Sequence, residues 1–110
     1  MQRAAKIDTV QPAIREALEK IGATVQSLGQ VGDGFFDLVA GFRGVNVLLE
    51  CKTGNEQPSA RQLERHATWN GQGSVVRTPE EATLEVIRIA TALDAIGKLR
   101  EALGLGIHIP

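Results

Sequence analysis

The sequence predicts an α/β fold in which a mixed sheet is flanked by helices. Apolar residues near the start recur at three- and four-residue intervals, a spacing typical of an amphipathic helix. Two later runs have strand character and are joined by a glycine-bounded turn, and two capping-box patterns mark the starts of further helices. The predicted order is αβββαβ followed by a C-terminal helix.

Length and composition fit a single domain over residues 1–110. The hydrophobic fraction of 43% is ample for a packed core. The 12 basic and 13 acidic side chains give a net charge of −1, which argues against nucleic-acid binding through bulk charge but leaves room for a local basic patch. The single cysteine, Cys51, excludes an intramolecular disulfide and a cysteine-built zinc site.

No apolar run is long enough to span a bilayer, and residues 1–6 lack the apolar stretch of a signal peptide. We therefore expect a soluble, cytoplasmic protein without a membrane partner.

The first helix is predicted over about residues 9–21, with Asp8 or Thr9 as its cap and Gly22 at its end. A short strand is expected over about residues 24–28. The apolar stripe of the helix consists of Val10, Ile14, Ala17, Leu18 and Ile21.

A β-hairpin is predicted from two strands over residues 35–40 and 45–52, joined by the four residues 41–44. In the second strand, Val47, Leu49 and Cys51 share one face, whereas Glu50 and Lys52 share the other. Capping boxes then predict helices from Ser59 to about Asn70 and from Thr78 to about Leu103, with a brief strand over 74–77 between them.

Two carboxylates and a lysine are candidates for a common site. If Ala40 pairs with Val45, Asp37 lies opposite Leu48 and diagonal to Glu50, whereas a one-residue slip would turn Asp37 to the other face. Carboxylates beside an ammonium group can hold Mg²⁺ or Mn²⁺ and act on a phosphate. For an isolated acidic-x-Lys triplet, however, the solvated face of an amphipathic strand is the more common explanation.

The wider context resembles a known nuclease signature. The segments Gly34-Phe-Phe-Asp-Leu-Val-Ala-Gly41 and Leu48-Leu-Glu-Cys-Lys-Thr-Gly54 are similar to the motifs of the PD-(D/E)XK superfamily, and more closely to small stand-alone VRR-NUC-type nucleases of phages and bacteria. A following helix with Gln62, His66 and Trp69 matches the family helix that carries a motif glutamine. The resemblance covers roughly residues 6–90.

The resemblance implies a restriction-endonuclease-like fold and an endonuclease that depends on Mg²⁺ or Mn²⁺ and acts on DNA, with branched, Holliday-junction-like DNA as the family-level substrate. By the same resemblance, Asp37 and Glu50 would bind the metal, together with the main-chain carbonyl of Cys51. Lys52 would be the catalytic lysine, and Gln62 would line the site from the second helix. Capping of that helix is an equally good explanation of Gln62.

Two departures from the family pattern stand out. Phe36 occupies the position of a proline, which we expect to reduce the rigidity of the turn rather than alter the chemistry. Ala13 falls where many members carry an acid on the first helix, which leaves Glu16 or Glu19 as substitutes.

Several other polar residues have two readings. Arg43, Arg61 and Arg65 are expected to bind DNA phosphates, and with Lys52 and Arg77 they would gather at the active edge of the sheet; a solvated helix face is equally consistent. His66 is more often a surface or satisfied helix histidine, and Trp69 a core residue. Asp33 fits an ordinary turn, and His108 a tail.

The last predicted helix would be a rod of roughly 37 Å, longer than a domain with a radius of gyration of ~13 Å requires. Either Gly97 breaks it, or its surplus apolar surface packs on a second subunit, and we favour a homodimer. Two alternatives to a nuclease remain open: a DNA-binding or accessory module with the same fold, and an interaction protein built around this helix. Its apolar residues are Leu84, Val86, Ile87, Ile89, Ala90, Leu93, Ile96, Leu99 and Leu103.

Overall fold

The computed structural model describes residues 10–105 and confirms the α/β class and the predicted order of elements. The predicted caps Asp8 and Thr9, the start of the expected core at residue 6, and His108 lie outside the described residues. The elements are α1 (Val10–Lys20), β1 (Thr24–Ser27), β2 (Leu38–Phe42), β3 (Val45–Cys51), α2 (Ala60–Thr68), β4 (Ser74–Val76) and α3 (Pro79–Ala102).

The four strands form one mixed sheet in the order β1-β2-β3-β4, with β4 parallel to β3 and the other pairs antiparallel. Helices α1 and α3 pack together on one face of the sheet, because their apolar stripes and the inward residues of β1 to β4 bury one another. The alternation predicted for β3 is confirmed. Buried core residues include Ile14, Leu18, Val25, Leu38, Ala40, Val47, Leu49, Cys51, Val76, Ala82 and Val86.

The hairpin between β2 and β3 turns on two residues, Arg43 and Gly44, so the predicted four-residue connection over 41–44 is wrong. Both residues have positive φ, 52° and 80°, as a tight turn of the primed type requires. The strands consequently continue to Phe42 and begin again at Val45, which pair with each other.

The shorter turn changes the register on which the candidate site depends. Ala40 pairs with Val47 rather than Val45, a shift of two residues from the register considered above. Because side chains alternate with a period of two, this shift keeps Asp37 on the expected face. Extending the pairing of Leu38 with Leu49 by one step brings Asp37 directly opposite Glu50.

Helix α3 runs without interruption from Pro79 to Ala102, so the expectation that Gly97 might break it is wrong. Its start follows the second predicted capping signal, since Thr78 accepts a hydrogen bond from the Glu81 amide and Pro79 occupies the first turn. The radius of gyration is 15.7 Å, above the ~13 Å expected for a compact chain of this length. No helix within residues 10–105 combines the length and apolarity needed to cross a membrane.

Candidate functional site

Asp37, Glu50 and Lys52 lie together on the sheet face opposite the core. Asp37 precedes β2, and its Oδ2 accepts a hydrogen bond of 2.8 Å from the main-chain N–H of Cys51. Glu50 lies near the end of β3, close enough to Asp37 for the charge of that carboxylate to raise the pKa of Glu50. Lys52 follows β3, with its Nζ 3.5 Å from Glu50 Oε2. The adjoining ends of the two paired strands therefore bring the predicted carboxylates and lysine into one group.

Gln62 combines the two roles that the sequence left as alternatives. Its Oε1 accepts a hydrogen bond of 2.9 Å from the Ser59 amide, while Ser59 Oγ accepts one from the Gln62 amide, which completes the capping box of α2. The other end of the same side chain, Nε2, donates a 2.6 Å hydrogen bond to Glu50 Oε2. The cap therefore orients the amide that α2 presents to Glu50.

Glu50 is a buried carboxylate in an electrostatically unfavourable position. It is 0% exposed, and its Oε1 has no hydrogen-bond partner within residues 10–105. Burial, followed by the charge of Asp37, raises the pKa of Glu50 to about 8, and the positive charge of Lys52 opposes this only in part. A further cation at this position would stabilise the ionised form.

His66 lies one helical turn after Gln62 and contacts the same carboxylate. Its ring stacks on that of Phe36, with centroids 4.5 Å apart and planes 3° apart. Its Nε2 is 3.8 Å from Glu50 Oε1 and, like that oxygen, is buried without a hydrogen bond to any of the residues that the structure describes. Burial, and then the charge of Lys52, lowers the pKa of His66.

The interpretation of His66 as a surface or satisfied histidine is therefore wrong. The expected effect of Phe36 on turn rigidity stays a prediction. Phe36 is 2% exposed and carries the imidazole. The i, i+4 spacing from Gln62 was the available signal for His66, because it places both side chains on one face of α2.

Trp69 is half-buried and belongs to the packing between α2 and the segment that precedes β2. It makes edge-on contacts with Phe35 and Phe36, at centroid distances of 5.3 and 6.1 Å, and its Nε1 donates to the Gln72 carbonyl. Gly73 lies against Phe36 so closely that a Cβ atom would overlap its ring. This contact holds Phe36, and with it His66, in place.

The predicted basic residues do not all gather at this site. Arg43 is at the hairpin turn, before the start of β3 at Val45, which itself lies five residues or roughly 17 Å along the strand from Glu50. The expectation of a single basic edge is therefore wrong for Arg43. Arg61 pairs with Asp33 at 2.6 Å on the surface, which gives Asp33 a partner beyond its turn. Arg65 lies over the Phe35 ring. Arg77 donates to two carbonyls of the loop after β3, Gly54 and Glu56.

The first helix supplies no obvious replacement for the family acid. Glu16 is exposed, and Glu19 is exposed and paired with Arg15. Ala13 is exposed as well. By contrast, Glu56 was not predicted as a site residue. Its Oε2 lies 3.8 Å from Lys52 Nζ, at the exposed rim of the site.

Among residues 10–105, no three side chains of His, Cys, Asp or Glu form a ready-made metal cluster. The candidate donor set is smaller and consists of Asp37, Glu50 and the main-chain carbonyl of Cys51. The Cys51 thiol itself is buried in the core, as its face on β3 predicted.

Comparison of the chain with protein-family models, curated proteins and solved structures finds no match in any of the three. The resemblance to the superfamily therefore remains an expectation.

Proposed function

We propose that this protein is a DNA endonuclease that hydrolyses phosphodiester bonds and depends on Mg²⁺ or Mn²⁺. The observation that carries the proposal is the convergence of Asp37, Glu50 and Lys52 on one face of the sheet, with Gln62 bonded to Glu50. A solvated strand face, the common alternative for such a triplet, does not explain a Glu50 side chain that is fully buried.

The donor set fits a hard divalent cation. Carboxylate and carbonyl oxygens are the ligands that Mg²⁺ and Mn²⁺ prefer, and such sites leave several positions to water and substrate. Among residues 10–105, Glu50 Oε1 has no hydrogen-bond partner, and burial, followed by the charge of Asp37, raises the pKa of this carboxyl group. A cation held by Asp37, Glu50 and the Cys51 carbonyl would polarise the phosphoryl group and activate water for attack.

The chain's own residues prepare this site. The Cys51 amide fixes Asp37, and Gln62 fixes Glu50, so neither carboxylate has to be ordered when the substrate arrives. Lys52 lies between Glu50 and Glu56 and presents a positive charge where negative charge develops on the phosphate.

We also propose DNA phosphates as the binding partners of Arg61, Arg65 and Arg43, with branched DNA as the substrate that the resemblance implies. Arg61 precedes Gln62 along α2, and Arg65 follows it. Arg43, at the hairpin turn, would contact DNA at a distance from the cleaved bond. With a net charge of −1, affinity is expected to be modest and to fall steeply with added salt.

The apolar surface of α3 supports the proposed homodimer. Leu93, Ile96, Leu99 and Leu103 are each about half exposed or more. Ala92, Ile96, Leu99 and Leu103 are spaced four, three and four residues apart, a pattern symmetric about the middle of this stretch. Two antiparallel copies would place Ile96 against Leu99 of the other copy. The charged pair Asp94–Lys98 lies off this seam.

The test is cleavage of linear, flap and four-way DNA by purified wild type, Lys52→Ala and Lys20→Ala, with Mg²⁺, Mn²⁺ or a chelator. We expect metal-dependent cleavage by wild type and by Lys20→Ala, which changes an exposed lysine, and a large loss in Lys52→Ala. Folded Lys52→Ala protein that cleaves at the wild-type rate would show that the lysine is wrongly assigned. Metal-dependent DNA binding without turnover would instead favour the accessory module.

A further inference from the structure

The two carboxylate oxygens of Glu50 make different contacts with α2. Oε2 accepts a 2.6 Å hydrogen bond from Gln62, while Oε1 faces His66 Nε2 at 3.8 Å, beyond hydrogen-bond range. Glu50 Oε1 and His66 Nε2 are both buried, and neither has a hydrogen-bond partner among the described residues. Leaving a buried polar atom without a hydrogen bond is unfavourable, and folded proteins retain few such atoms without a reason.

His66 is held in this position by its surroundings and not by a polar contact of its own. Its ring lies flat on Phe36, whose own position is fixed by Trp69 and by the close approach of Gly73. A histidine on the protein surface would not require this packing beneath its ring. The imidazole Nε2 faces Glu50 Oε1, a buried oxygen that has no hydrogen-bond partner in the described part of the chain.

We propose that His66 is a positioning residue for the divalent cation, acting from outside the ligand set on the Oε1 side of Glu50. This inference rests on the proposed function. Partners that hydrogen-bond to metal ligands or to the water around the ion fix their orientation, and their removal typically weakens binding 10- to 100-fold. We assign His66 the outer role because its Nε2 lies 3.8 Å from Glu50 Oε1, and because His66 and the two carboxylates do not form a three-side-chain metal cluster within residues 10–105.

An outer partner affects Mg²⁺ and Mn²⁺ alike, whereas a directly bound imidazole nitrogen would favour Mn²⁺. The two cations therefore distinguish the proposed role from direct ligation. Among substitutions, His66→Leu removes the nitrogen, and His66→Gln keeps a polar group that can reach the position of Nε2. Leu63→Gln, on the exposed part of the same helix, is the matched control.

The experiment is calorimetric titration of each cation into metal-free wild type and the three variants, with thermal unfolding of each metal-free protein as a check on folding. We expect His66→Leu to raise the Kd for both cations by roughly tenfold or more. We expect His66→Gln to recover most of that loss, and Leu63→Gln to bind like wild type.

Several results would overturn the inference. A folded His66→Leu variant with wild-type affinity would leave His66 a packing residue, and so would an equal loss in His66→Gln. A loss confined to Mn²⁺ would make the imidazole a ligand. If wild type binds neither cation, the proposed function fails together with the inference. If wild type binds the cations and cleaves DNA, and His66→Leu binds the cations equally well, only the inference fails.

Discussion

Gln62 and Glu50 are joined by a hydrogen bond of 2.6 Å between Nε2 and Oε2, and the same glutamine closes the capping box of α2 with Ser59. The start of the helix and the orientation of the buried carboxylate are thus fixed by one side chain. Disturbing the cap alone and disturbing the contact with Glu50 should therefore have separable effects.

The first prediction compares Ser59→Ala with Gln62→Ala. Ser59→Ala removes the hydroxyl that accepts from the Gln62 amide and should lower the free energy of unfolding by about 1 kcal/mol. Gln62→Ala also leaves the buried Glu50 without its donor, which should add a further ~1–3 kcal/mol. Urea unfolding measures both. Equal losses in the two variants would contradict the link between the cap and the site.

The second prediction concerns pH. The pKa of Glu50 is about 8 in the folded protein against an ordinary value of 4.5, so the folded state holds this proton more tightly than the unfolded state. The contribution of Glu50 is thus fully present below pH 4.5 and is lost as the pH rises through about 8. In metal-free protein, Glu50→Gln should remove this fall and stabilise the fold at pH 8.5 by roughly 1–3 kcal/mol. Identical pH profiles of wild type and variant, measured by urea unfolding, would refute the assignment.

The third prediction concerns the support beneath His66. Gly73→Ala would force a methyl group into the ring of Phe36 and should destabilise the protein by roughly 1–3 kcal/mol. Gly29→Ala is the control, because its added Cβ would make only ordinary contact with the side chain of Ser27. Thermal unfolding compares the two, and a Gly73→Ala variant as stable as Gly29→Ala would show that the segment adjusts freely.

The fourth prediction tests the homodimer. Leu99→Glu places a charge in the middle of the proposed seam and should shift the protein from dimer to monomer in sedimentation experiments. Leu84→Glu is the matched control, since Leu84 is also an exposed leucine of α3 but lies off the seam. A wild-type protein that is monomeric at high concentration, or a Leu99→Glu variant of unchanged mass, would rule the seam out.

Much of the fold could be predicted because its signals are local. The stripe of α1, the alternation of β3 and the cap of α2 each depend on spacing within one element, and the structure confirms them. The hairpin turn was harder to predict, because arginine rarely adopts the positive φ that Arg43 has here. The register changed with the turn. Asp37 stayed beside Glu50 only because the shift was an even number of residues.

The site was predictable where strand geometry alone decides it, as for Asp37, Glu50 and Lys52. It was not predictable where the tertiary structure decides. The stacking of His66 on Phe36 joins α2 to a segment about 30 residues earlier, and no local pattern indicates which ring will receive the imidazole. The surface pair of Arg61 with Asp33 has the same origin.

The central claim is that Asp37 and Glu50 hold a divalent cation that supports DNA cleavage. Its most direct test is calorimetric titration of Mg²⁺ and Mn²⁺ into wild type and Asp37→Asn, with cleavage of linear, flap and four-way DNA measured on the same samples. Asp94→Asn, which changes an exposed carboxylate of α3, is the control. We predict that wild type and control bind the cation and cleave DNA, and that Asp37→Asn loses both activities. Wild-type protein that binds no cation, or an Asp37→Asn variant that binds and cleaves like wild type, would contradict it.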